Sequence, residues 1–139
     1  MILTLDHLQM AIPAGGEDQA RAFYGDLLGM TEIPRPDAIL ARGGVWFRSG
    51  GLALHLGVDP GFVPAFVAHP GLRVGGYAVL IARLVAAGAD VTPDSKVPGV
   101  TRAFVLDPFG NRLELIDDAS GSPGQGMLAE PFCCGSEGA

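Results

Sequence analysis

Cysteine, positive charge and long apolar runs are all scarce in this chain of 139 residues. The only two cysteines, Cys133 and Cys134, are adjacent near the C-terminus, where they cannot form a disulfide framework; a reducing, cytoplasmic setting is expected. Nine Lys and Arg stand against fifteen Asp and Glu, for a formal net charge of −6. That balance disfavours phosphate backbones and anionic lipid, so neither nucleic acid nor membrane is an expected partner. No apolar run approaches the roughly 18 residues of a spanning helix. Met1 leads into a strand-like pattern with no basic leader region.

What is present describes a folded domain. Hydrophobic residues make up 48% and charged residues 17%, which excludes a solvated coil for the bulk of the chain. The 21 glycines and 11 prolines exceed ordinary usage and imply many short elements joined by turns, not a long helical bundle. The length fits a single domain with one core.

An internal repeat organises the chain. Residues 2–12, ILTLDHLQMAI, alternate as a strand, and Glu17 to Leu28 carry Ala20, Phe23, Tyr24, Leu27 and Leu28 in a helical stripe closed by Gly29. Strands are expected near 31–34, 44–49 and 52–58, the last two joined by Gly50-Gly51. After a proline-containing linker at 59–67 the same order restarts. A strand at 68–74 precedes a helix at 77–87, with Tyr77, Leu80, Ile81, Leu84 and Ala87 on one stripe and Gly88 as its stop. Strands follow near 90–93, 101–106 and 112–117. The expected domain spans 1–118, with modules at about 2–58 and 68–117. The residues 119–139 read as a flexible tail, and this is the simplest reading of Cys133 and Cys134 too.

Three histidines gain meaning from this repeat. His7 and His69 fall in the first strand of their modules, while His55 and Glu114 fall in the last. Four potential ligands at two pairs of equivalent positions would converge about a pseudo-twofold axis. Strand parity agrees: Glu114 opposes Leu113 and Leu115, His55 opposes Leu54 and Leu56, and His7 with Gln9 opposes Leu8 and Met10. If Leu106 pairs with Arg112 across the Asp107–Asn111 turn, Phe104 sits opposite Glu114. Gln9, Trp46, Arg48 and Phe104 are further pocket candidates. Trp46 and Arg48 share one strand face, although the sequence leaves open which one.

The segment LDPFGNRLELID (106–117), together with LDHLQMAI and ARAFYGDLLGM, resembles the vicinal oxygen chelate superfamily. That superfamily includes glyoxalase I, extradiol dioxygenases, fosfomycin-resistance enzymes and bleomycin-resistance binding proteins. The resemblance covers about residues 2–117. It implies an α+β fold of two tandem βαβββ modules forming a cupped mixed sheet around a divalent metal, in a homodimer whose cup is built within one chain or across a swapped pair. In the family's pattern the metal ligands fall on His7, His55, His69 and Glu114, with His55 and Glu114 as catalytic groups. A two-histidine, one-carboxylate set suits Fe(II) and accepts Mn, Ni, Co or Zn. Two departures matter. His55 stands where glyoxalase I typically has a carboxylate, and Phe104 stands where extradiol dioxygenases commonly place a tyrosine hydroxyl. The resemblance therefore implies a metalloenzyme acting on a small molecule with vicinal oxygens, of glyoxalase type ahead of dioxygenase type. A metal-free drug-binding protein is the alternative.

Overall fold

The computed structural model describes residues 1–124; residues 125–139 of the expected tail, with Cys133 and Cys134, lie outside the described residues. Eight strands form two four-stranded mixed sheets. The first contains β1 (Leu8–Ile12), β2 (Thr31–Ile33), β3 (Val45–Ser49) and β4 (Leu52–Val58) in the spatial order β1-β4-β3-β2. The second contains β5 (Gly71–Val74), β6 (Val91–Asp94), β7 (Arg102–Leu106) and β8 (Arg112–Asp117) in the order β5-β8-β7-β6. In each sheet the first strand runs parallel to the last, and the remaining pairs are antiparallel. This is the α+β repeat expected from the sequence.

The helical stripes face the core, except that Ala87, expected on the second, lies just past its helix and is exposed. In the first module α1 (Glu17–Ala20) passes directly into a π-helical segment, Arg21–Leu27, and Ala20, Phe23 and Tyr24 are buried. In the second module α2 (Tyr77–Ala86) buries Leu84. Gly29 and Gly88 follow these helices with φ of 74° and 80°, the left-handed conformation that ends a helix at little steric cost for glycine. Leu54 and Leu56 of β4 join Leu113 and Leu115 of β8 in one apolar cluster shared by both modules. Each such leucine contributes about 1.5–3 kcal/mol through burial.

A buried polar staple also joins the modules. The Tyr24 hydroxyl donates to Asp107 Oδ2 at 2.7 Å, and Asn111 Nδ2 donates to the Ala11 carbonyl at 2.9 Å. Asp107 Oδ1 accepts from the backbone N–H groups of Phe109 and Asn111, which shapes the turn expected at 107–111. Burial, with the Asp107 carboxylate beside it, pushes the Tyr24 phenol well above its usual range.

The strands that carry the two equivalent histidines start later than their alternation suggests. β1 pairs Leu8 with Leu54, so only Ala53 and Leu52 of β4 remain before the Gly50-Gly51 turn, and residues 1–7 have no strand partner. β5 starts at Gly71 because the preceding Pro70 has no N–H for the ladder. His7 and His69 therefore stand just outside their strands. A 3₁₀ helix at Asp37–Arg42 was also not foreseen. Two apolar segments stay on the surface: Met1, Ile2, Leu3 and Leu5, and in the linker Val63, Phe66 and Val67. No helix among the described residues is long and apolar enough to cross a membrane.

Candidate metal centre

In the first module β4 holds His55 between its two neighbours, with Gln9 of β1 and Trp46 of β3 in register on either side. Leu54 and Leu56 point into the core, so His55 points away from it. The Trp46 ring lies 3.6 Å from the His55 ring, with planes 1° apart, and the His7 ring stacks at 4.4 Å. This stack fixes the His55 ring. Burial, and next the neighbouring His7, lower the His55 pKa and favour its neutral form. His7 Nδ1 lies 2.8 Å from Asp6 Oδ1. An ionised carboxylate only accepts, so Nδ1 carries the hydrogen and Nε2 keeps its lone pair. The hydrogen bond from His7 in turn holds the Asp6 carboxyl below its usual range.

In the second module Glu114 is buried and its two oxygens have different partners. Oε1 accepts from Arg102 Nη1 at 2.7 Å, and Arg102 is held by Asp94 Oδ1, which accepts from its Nε and Nη2 at 3.0 and 2.8 Å. The Arg102 guanidinium keeps the Asp94 carboxyl below its usual range. Oε2 of Glu114 faces His69 Nε2 at 3.3 Å. On the far side of that ring, Nδ1 lies 2.8 Å from the Val67 carbonyl. A carbonyl can only accept, so this hydrogen bond places the ring hydrogen on Nδ1. In neutral His69 the lone pair of Nε2 then faces a carboxylate oxygen, two acceptors turned toward one point. A proton or a metal cation between them would satisfy both. An imidazole oriented by a carbonyl on Nδ1 and presenting Nε2 is the usual arrangement of a metal-ligating histidine. The donor set thus fits a divalent cation.

Phe104 lies opposite Glu114 in the β7–β8 register, as the turn geometry suggested. Its ring meets His69 edge-on at 5.3 Å. Gln9 and His69 line one cavity of about 370 Å³, which links β1 to the linker. Arg48 pairs with Ala53 across the ladder, is exposed, and has no ion pair among the described residues. Two pairs are therefore brought together, His7 with His55 and His69 with Glu114. Among the described residues no three His, Cys, Asp or Glu side chains lie close enough to hold one ion.

Asp6, Asp94 and Arg102 were missed at sequence level. Arg102 was within reach, because the register that sets Phe104 opposite Glu114 also puts Arg102 on the same face, two residues earlier. Asp94 gave no signal, since its short strand contains a proline and has no readable period.

No family model matches the sequence, and no curated protein matches it. Among solved structures, a glyoxalase family protein from Bacillus anthracis is 44% identical, with a TM-score of 0.81 over 84% of this chain and 96% of that one. The fosfomycin resistance protein FosX from Listeria monocytogenes shares the fold at 16% identity, with a TM-score of 0.71 over 90% of this chain and 98% of its own. A glyoxalase/dioxygenase from Nostoc punctiforme does so at 18% identity, with a TM-score of 0.68 over 83% of this chain and 90% of its own.

Proposed function

The chain belongs to the glyoxalase family of the vicinal oxygen chelate superfamily, and on that premise we propose that it is a cytoplasmic metalloenzyme acting on a small molecule with two adjacent oxygens. The observation that carries the reading is that His69 Nε2 and Glu114 Oε2 face each other at 3.3 Å, each side chain oriented from behind, His69 by the Val67 carbonyl and Glu114 by Arg102. His7, His55, His69 and Glu114 would hold the metal, which is Fe, Mn, Ni, Co or Zn. When bound, it supplies Lewis acidity toward developing negative charge on the substrate oxygens.

The protein's own groups define the rest of the chemistry. Glu114 offers Oε2 because Arg102 occupies Oε1. His55, its neutral form favoured and its ring fixed between Trp46 and His7, has one lone pair, so it would serve as the proton acceptor of a glyoxalase-type lyase or isomerase reaction only with that nitrogen off the metal. Phe104 has no hydroxyl to orient a catechol, which ranks ring-opening dioxygenation second. Trp46, Phe104 and Gln9 form the walls.

The two pairs belong to one centre once a second copy is present. The first module of one chain closes over the second module of its partner, bringing His7 and His55 to the partner's His69 and Glu114. What supports this homodimer is the separation of the pairs in one chain, together with exposed apolar residues at Met1–Leu5 and Val63–Val67.

Elemental analysis of protein purified without chelators, with melting curves in the presence of each candidate ion, tests the proposal. About one ion per chain is expected. An ion present at 100 times its dissociation constant should stabilise the fold by about 2.7 kcal/mol. Unchanged melting with all five ions contradicts it, and tight binding of a bleomycin-like drug by that protein would then favour the sequestration reading.

A further inference from the structure

Two guanidinium groups flank the Phe104 ring, and their circumstances differ. Arg102 lies 5.3 Å from the ring centre and spends its donors on Asp94 and Glu114. Arg112 lies closer, 4.1 Å over the ring, and among the described residues it has no carboxylate partner and no hydrogen bond. Stacking uses the face of a guanidinium and leaves its in-plane N–H fork available, the geometry that takes a carboxylate or phosphonate bidentately. Arg112 lines a cavity of about 410 Å³ together with Thr92, Phe104 and, from the linker, Pro64 and Phe66. Thr92 pairs with Phe104 across the β6–β7 ladder and offers a hydroxyl on the same wall. Asp90 also lines this cavity but forms no ion pair with Arg112. Through Phe104 the cavity adjoins His69 and, by register, Glu114.

We infer that Arg112 and Thr92 form an anion subsite beside the metal centre, so that the substrate is a small anionic molecule carrying a carboxylate, phosphonate or phosphate group near its vicinal oxygens. The inference rests on the proposed metalloenzyme reading for its placement, while the subsite itself needs only residues of the second module. The Phe104 ring holds the guanidinium, and this assigns the ring a second role besides packing against His69. Arg112 sits two residues before Glu114 on the same strand face, so one small molecule can reach both.

The test is titration of metal-free, full-length protein with inorganic phosphate, methylphosphonate and acetate, with methanol as the uncharged control, followed by calorimetry and by amide chemical shifts of β7 and β8. Wild-type protein should bind at least one of the three anions and not methanol. The anion that binds most tightly separates the carboxylate source from the phosphorus ones. Arg112→Gln should weaken that binding about tenfold or more, Arg112→Lys should recover part of it, and Arg83→Gln, on the exposed side of α2, should leave it unchanged. Melting temperature and metal affinity of Arg112→Gln, both expected to stay near wild type, separate loss of the subsite from loss of fold. Equal binding by wild type and Arg112→Gln overturns the inference, as does the absence of binding by any of the three anions. If anions bind and no metal does, the subsite stands and the metalloenzyme reading falls.

Discussion

The two modules share one topology and differ in what they place on it. Their strand orders, β1-β4-β3-β2 and β5-β8-β7-β6, are the same, and each puts a histidine just ahead of its first strand and a second candidate ligand in its last. In the first module those groups sit in an aromatic stack, Trp46 on His55 on His7, whose neutral imidazole is favoured by burial. In the second they sit in a hydrogen-bonded chain, His69 to Glu114 to Arg102 to Asp94, with Phe104 and Arg112 beside it. The repeat thus sets where chemistry can occur, and the residue types divide it. On the proposed reading one half would supply nitrogen donors and a proton acceptor. The other would supply the negative charge and the means of orienting it.

The largest expected effect concerns what joins the halves. Asp107→Ala leaves the Tyr24 hydroxyl and the Asn111 amide without their buried acceptor, and should cost about 3–5 kcal/mol in urea unfolding. A loss below about 1 kcal/mol would mean that the modules are held by the apolar cluster alone. Next comes the division of ligand roles. Glu114→Gln removes the carboxylate charge and should weaken metal binding by more than about 100-fold, whereas His55→Ala should cost about 10-fold if its main duty is proton transfer. Competition titration against a chelator measures both, and the reverse order would exchange the roles assigned to the two modules.

Arg102→Met sharpens the same comparison, because it frees Glu114 Oε1 and leaves Asp94 unpaired. Metal affinity should fall by about 10-fold, the usual size for a group that orients a ligand from behind. The smallest effect belongs to acid stability in the first module. Glu17 accepts the Gly44 N–H at 2.9 Å, which holds its carboxyl below the ordinary 4.5. A depressed carboxyl stabilises the fold above its unfolded value and loses that contribution as pH falls through the folded one. Glu17→Gln should therefore flatten the pH dependence of stability below about pH 4.5, by under about 1 kcal/mol for a group that solvent still reaches.

Much of this was legible from residue spacing. Alternation in 52–58 and 112–117 oriented His55 and Glu114, and the length of the Asp107–Asn111 turn placed Phe104 opposite Glu114, as the structure has it. Less legible was where strands begin, because that depends on partners distant in sequence. Residues 2–7 alternate well but outrun β4, and Pro70 shortens β5, so His7 and His69 are held by Asp6 and by the Val67 carbonyl instead of by a ladder. The Asp94–Arg102–Glu114 chain was hidden for a related reason: it crosses three strands, and the β6–β7 register that sets Asp94 opposite Arg102 has no turn signal of fixed length to reveal it.

The central claim, that each metal centre takes one pair of ligands from each of two chains, is tested most directly by mixing two variants. One carries His7→Ala with His55→Ala, and the other His69→Ala with Glu114→Gln. Each alone should fail to bind the metal. After unfolding and refolding together, a hybrid dimer would hold one intact centre, made of the first module of one chain and the second module of the other. Metal content measured on the mixture should then recover to about one ion per hybrid dimer. A mixture as empty as its two components, with hybrid dimers present by mass spectrometry, would contradict the account and place the whole centre within one chain.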